Sequence, residues 1–118
     1  MNKDWVQTTK DMSAALKDLR GGAPAVMQGF SVIAQAALKA NALDTKTKEL
    51  IALAIAVATR CDGCIAFHAE AAVKQGASRE EVLETMGMAI YMGAGPSVMY
   101  AAQALEAFDQ FQDIKKPA

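Results

Sequence analysis

The sequence predicts an all-α fold in a single domain. Three observations carry that reading. Alanine supplies much of the 53% hydrophobic content, and alanine is the strongest helix former. Apolar residues recur at three- and four-residue spacing, and no stretch reads as a convincing strand. Finally, Asp, Ser, Pro and Gly punctuate the ends of those periodic stretches, where helices start and stop. The 118 residues hold no linker, internal repeat or low-complexity block, so one domain over residues 1–118 is expected. A chain of this size buries a little over ~60% of its unfolded surface and needs neither disulfide nor metal to fold.

About six helices are readable in order. The first runs from Asp4 to Leu19, with Trp5, Met12, Leu16 and Leu19 on one stripe. The stretch "RGGAP" breaks it, and Pro24 suits the first turn of a second helix, where its missing N–H is harmless. Met27, Phe30, Ile33, Ala37 and Leu38 give that helix an apolar face, ending near Asn41. Asp44 is a good N-cap for a third helix to Thr59. That helix is apolar all round from Leu50 to Ala58, so burial on most sides is expected.

A fourth helix starts near the cysteines and stops at Gly76. Ser78 and Glu81 form a capping box for a fifth, running to Met92. "GAGP" is a turn, and Pro96 opens a sixth helix lined by Tyr100, Ala104, Phe108 and Phe111. The tail "DIKKPA" is expected to fray. Gly29 and Gly87 are expected at close helix contacts, and the seven methionines as core filler.

Charge and hydropathy exclude several classes of function. The net charge is −1 and no basic face is present, which disfavours nucleic acid and anionic membranes as partners. The N-terminus lacks the apolar core of a signal peptide. The longest apolar run, "LIALAIAVA", falls well short of the ~20 residues that span a bilayer. A cytoplasmic location is therefore expected. Two cysteines in such a chain point to redox chemistry or metal rather than structural bridging.

Both cysteines and the only histidine fall in "RCDGCIAFH". With Cys61 at the start of the fourth helix, Cys64 and His68 lie along the same face. The i, i+4 spacing of Cys64 and His68 is close enough for a thiol–imidazole hydrogen bond. A helix N-terminus lowers a thiol pKa, and the thiolate is the reactive species in disulfide exchange and peroxide reduction. Cys-x-x-Cys spacing also allows a reversible disulfide that traps the first oxidation product. Asp62, between the cysteines, suits the helix start but opposes thiolate formation.

Other readings of the cluster exist. Cys61, Cys64, His68 and a carboxylate make an acceptable zinc set, and so a zinc-stabilised helical assembly module. Covalent haem attachment needs histidine directly after the second cysteine, where this chain has Ile65. Two buried cysteines serving as small hydrophobes would explain neither the spacing nor the histidine.

"KELIALAIAVATRCDGCIAFHAEAAVKQGAS" followed by "GAGPSVMYAAQALEAF" resembles the alkylhydroperoxidase AhpD-like branch of the carboxymuconolactone decarboxylase family. The motif is a glutamate and, starting twelve positions later, Cys-x-x-Cys-x-x-x-His, matched by Glu49, Cys61, Cys64 and His68. The resemblance covers Pro24 to Phe111. It implies an AhpD-like helical fold that assembles as a homotrimer or homohexamer. It also implies a thiol-dependent peroxidase or disulfide reductase in antioxidant defence, with no cofactor or metal. The partners implied are a hydroperoxide or disulfide substrate and a thiol electron donor.

In that scheme Cys64 is the attacking thiol, Cys61 the resolving one, and His68 with Glu49 a proton relay through water. The best-known members carry histidine where this chain has Asp62, and they have a second helical unit. Lactone decarboxylases of the same fold lack the cysteine pair. Glu49 also has a plain structural reading, as a carboxylate in the first turn of a helix. A simple hairpin would leave it several ångströms along the axis from His68, at ~1.5 Å rise per residue.

Overall fold

The computed structural model describes residues 3–115, so the calls made on residues 1–2 and 116–118 lie outside the described residues. Five helices form in the order α1 (Trp5–Gly22), α2 (Pro24–Leu38), α3 (Thr45–Ala58), α4 (Asp62–Lys74) and α5 (Arg79–Lys115). The described residues contain no strand. The expected fifth and sixth helices are the two arms of α5, which bends where Ala94 leaves helical geometry at φ 55° and ψ −144°. Of the tail expected to fray, residues 113–115 are helical, and Lys115 Nζ donates to the Val73 carbonyl.

The caps explain most boundaries. Asp4 accepts from the Gln7 N–H and Asp44 from the Thr47 N–H, each satisfying a first-turn donor that has no partner inside its helix. Ser78 and Glu81 form the reciprocal capping box read from the sequence. The first break falls later than "RGGAP" suggests: α1 continues through Gly22 and closes with the Ala23 N–H on the Leu19 carbonyl.

The core lies where α3, α4 and α5 meet one another. Leu53 and Val57 of α3, Ile65 and Ala69 of α4, and Val82 and Phe108 of α5 are buried together. Alanine at 66, 69 and 72 keeps the α4 backbone close to its neighbours. Trp5 is fully buried, and its indole N–H donates to Glu106 Oε1 across 2.9 Å. Phe108 and Phe111 belong to this core, so the aromatic stripe of the last helix packs the interior.

Several expected faces are not covered within one chain. α2 buries no residue at all; Phe30 is 64% exposed and Ile33 65%. The reason is connectivity: α2 touches only α1 and α3. α3 buries one face only, leaving Ile51 and Ile55 exposed, because its outer side has nothing beyond α2 to meet. On the α1 stripe Trp5 is buried, whereas Met12 and Leu19 are exposed. Among the described residues Met86 is the buried methionine, while Met88, Met92 and Met99 are exposed. A Cβ at Gly29 or Gly87 would meet nothing within 4 Å, so neither glycine marks a close contact within the chain.

Candidate active site

The connection between α3 and α4 is built from one residue in a left-handed conformation. Arg60 adopts φ 57°. Its N–H donates to the Val57 carbonyl, and the Cys61 N–H donates to the Ala56 carbonyl. This bond pair is a Schellman closure, usually made with glycine at the left-handed position. It ends α3 and delivers Cys61 directly as the N-cap of α4. The same closure, with Gly76 at φ 79°, ends α4.

Cys61 and Cys64 are joined by a disulfide, with Cα atoms 5.2 Å apart. Cys61 Sγ also accepts from the Cys64 N–H at 3.2 Å, acting as the sulfur counterpart of an N-cap oxygen. Both cysteines are half-buried, so the disulfide is reachable from solvent. With both sulfurs bonded to each other, the expected thiol–imidazole hydrogen bond has no thiol proton to use. Among the described residues, no group of three or more His, Cys, Asp or Glu side chains is arranged to hold a metal ion.

One helical turn beyond Cys64, His68 Nδ1 lies 2.7 Å from Glu49 Oε1. The Glu49 side chain is 7% exposed and the imidazole 32%. The contact is direct, so of the two ways expected to bring these side chains together, helix crossing or a bridging water, no water is needed. The axial offset between the two positions is only about 4–5 Å at 1.5 Å rise per residue. Two long side chains reaching across the α3–α4 interface span that offset. A buried carboxylate needs a hydrogen-bond partner, and the imidazole is the one Glu49 has.

His68 also forms part of a cavity of about 340 Å³ between α2 and α3. Ala34, Leu38, Ile51 and Ile55 make it largely apolar, and Lys48 adds a cation. α1 packs against the Cys-Asp-Gly-Cys turn. Lys3 Nζ donates to Asp62 Oδ2 at 2.8 Å and to Gln103 Oε1 at 2.7 Å. A Cβ on Gly63 would sit 3.4 Å from the Met12 methyl. Neither Lys3 nor the cavity was legible as part of the site, since local spacing does not report a partner 59 positions away.

Fold and site together define a small all-α protein with a Cys-x-x-Cys disulfide at a helix start, beside a buried glutamate–imidazole pair. The chain belongs to the carboxymuconolactone decarboxylase family, whose model matches residues 24–107. A carboxymuconolactone decarboxylase family protein from Legionella pneumophila has a similar crystal structure. It is 58% identical with a TM-score of 0.89, covering 92% of this chain and 96% of that one. A family member from Thermotoga maritima, described with a possible involvement in the antioxidative response, is 25% identical with a TM-score of 0.81. That match covers 91% of this chain and 92% of that one. An uncharacterised protein of Haemophilus influenzae is 44% identical over 108 residues, 92% of this chain and 96% of its own.

Proposed function

We propose that this chain is a thiol-dependent oxidoreductase, a peroxidase or disulfide reductase of antioxidant defence working in the cytoplasm. The observation that carries the reading is the Cys61–Cys64 disulfide at the start of α4, one turn from an imidazole held by a buried glutamate. In the reduced form Cys64 attacks. The Glu49 carboxylate accepts from Nδ1–H of His68, which leaves Nε2 as the basic nitrogen facing away from it. That nitrogen takes the Cys64 proton, directly or through water, and the helix N-terminus favours the thiolate.

With a hydroperoxide, the Cys64 thiolate attacks the terminal oxygen, an S–O bond forms as the O–O bond breaks, and the alkoxide leaves as the alcohol by taking back the proton that His68 accepted from Cys64. The Cys64 sulfenic acid then condenses with the Cys61 thiol, releasing water and closing the disulfide. An external dithiol supplies two electrons and two protons to reopen it. The apolar walls of the cavity beside His68 suit an organic hydroperoxide better than hydrogen peroxide itself.

The test is steady-state turnover of cumene hydroperoxide with dithiothreitol as donor. Wild-type protein should consume both in equal amounts, and Cys64→Ser should be inactive. Turnover unaffected by Cys64→Ser refutes the reading, and none in the wild type refutes its peroxidase form.

The exposed apolar face of α2, continued by Ile51 and Ile55 of α3, supports assembly as a homotrimer or homohexamer. Phe108 and Phe111 of the last helix are occupied in the core, which leaves the α2 face as the proposed interface. Light scattering behind size exclusion should give a multiple of 12.5 kDa, and a stable monomer would refute assembly.

A further inference from the structure

We infer that Lys3 is a positioning residue for the redox pair, cancelling the charge of Asp62 and thereby favouring the reduced, partly ionised cysteines. The inference rests on the proposed redox role of Cys61 and Cys64. Asp62 lies between them in the first turn of α4. That place favours the helix but puts an anion next to any thiolate formed there.

The geometry answers that conflict from the other end of the chain. Lys3 Nζ sits 2.8 Å from Asp62 Oδ2, with both side chains 45% exposed. The ammonium is not a loose surface group. It donates also to Gln103 Oε1 and lies 5.2 Å from the Trp5 ring centroid, a cation–π distance. The backbone around it is clasped as well: the Lys3 carbonyl accepts from Gln110 Nε2, and the Trp5 N–H donates to Gln110 Oε1. Trp5 itself is fully buried. The anchored segment Lys3–Trp5 therefore presents one cation to the residue between the cysteines. The segment that does so lies outside residues 24–107, the part matched by the family model. Other charged groups in the neighbourhood include Asp4 next to Lys3, Arg60 next to Cys61, and Glu106 on the Trp5 indole. All are unchanged in the variants below.

Reduction by dithiothreitol breaks the Cys61–Cys64 bond, passes two electrons and two protons to the sulfurs, and closes dithiothreitol into its cyclic disulfide. Any thiol that then ionises adds negative charge beside Asp62. Without Lys3 the reduced form is disfavoured. Lys3→Met removes the charge and keeps the apolar stem over Trp5. It should shift the dithiothreitol equilibrium at neutral pH towards the protein disulfide by about two- to threefold, the size expected of part-exposed, screened charges.

Asp62→Asn should shift the equilibrium the opposite way. Lys3→Met/Asp62→Asn should return to within error of the wild type, a rescue that a merely structural latch would not give. On unmodified protein, raising ionic strength from ~0.01 M to ~1 M should reproduce part of the Lys3→Met shift. An unchanged equilibrium in Lys3→Met, or failure of Asp62→Asn to restore it, overturns the inference. Failure of the underlying redox reading has a different signature: a wild-type disulfide that dithiothreitol does not open.

Discussion

Replacing His68 with leucine should destabilise the fold and abolish turnover for one and the same reason. The substitution keeps a side chain of similar bulk but removes the partner of Glu49 Oε1, now 2.7 Å away. Glu49 is 6% exposed, so water does not replace the lost donor fully. A hydrogen bond to a charged group contributes about 1.5–3 kcal/mol, and an orphaned buried acceptor costs about 1–3 kcal/mol. Part of that is recovered because the imidazole edge is open to solvent. A loss of roughly 2 kcal/mol results, or several degrees in Tm for a chain of this length.

His68→Gln, whose amide still donates, should lose less than about 1 kcal/mol, the net worth of an ordinary hydrogen bond. Urea unfolding followed by circular dichroism measures both, at one protein concentration because assembly adds to apparent stability. In a Glu49→Gln background the effect of His68→Leu should fall by about half, since a neutral amide is less costly to orphan than a carboxylate. Both histidine variants should lower kcat/KM at least ~100-fold, the usual contribution of a general base. A His68→Leu protein within about 0.5 kcal/mol of wild type, with no coupling to Glu49, would show the pair to be an incidental contact.

Arg60→Gly should stabilise the protein by up to about 1 kcal/mol in the same assay, by relieving a non-glycine residue in the left-handed region. At the α5 bend two adjacent substitutions should have opposite signs. Ala94→Gly should raise the urea midpoint, since φ 55° with ψ −144° is a glycine conformation. Gly93→Ala should lower it by about 1–3 kcal/mol, because its Cβ would run into the buried Ser97 side chain. Glu81 has a carboxyl held below the usual range by the Ser78 backbone N–H first and by Lys46 next. Its stabilising contribution is therefore complete above the ordinary carboxylate range and is lost as pH falls through its lowered value. Glu81→Gln should lower stability at neutral pH, leave it little changed in acid below the lowered value, and so flatten the acid limb of the stability–pH curve.

What the sequence made legible was whatever a few consecutive residues decide. Asp44, the Ser78–Glu81 box and Gly76 are local devices, and each sits where its chemistry predicts. The Cys-x-x-Cys pair at a helix start is local too. Pro96 correctly announced the second arm of α5, although the bend centres two residues earlier on Ala94, a residue no turn rule would select. The α2 face shows the limit of periodicity. An apolar stripe tells that something must cover it, but not whether the cover comes from the same chain. Phe108 and Phe111 pose the same question and receive the opposite answer, because α5 runs along α3 and α4 while α2 does not.

The site itself divides along the same line. Cys61, Cys64 and His68 share one stretch of α4, so their grouping needs no tertiary knowledge. Glu49 needs the α3–α4 hairpin, and spacing alone left it as a helix-start carboxylate or a relay member. Burial decides for the partnership with His68: a carboxylate serving only the helix dipole would stay in water, whereas this one is buried against an imidazole. Lys3 and Asp62 need the whole fold, because the clasp to Gln103 and Gln110 forms only once the last helix has packed beside the first. On the proposed reading, the family motif supplies the reacting atoms. The charge around those atoms is set by a segment beyond the matched residues, and relatives sharing the motif need not share that electrostatic setting.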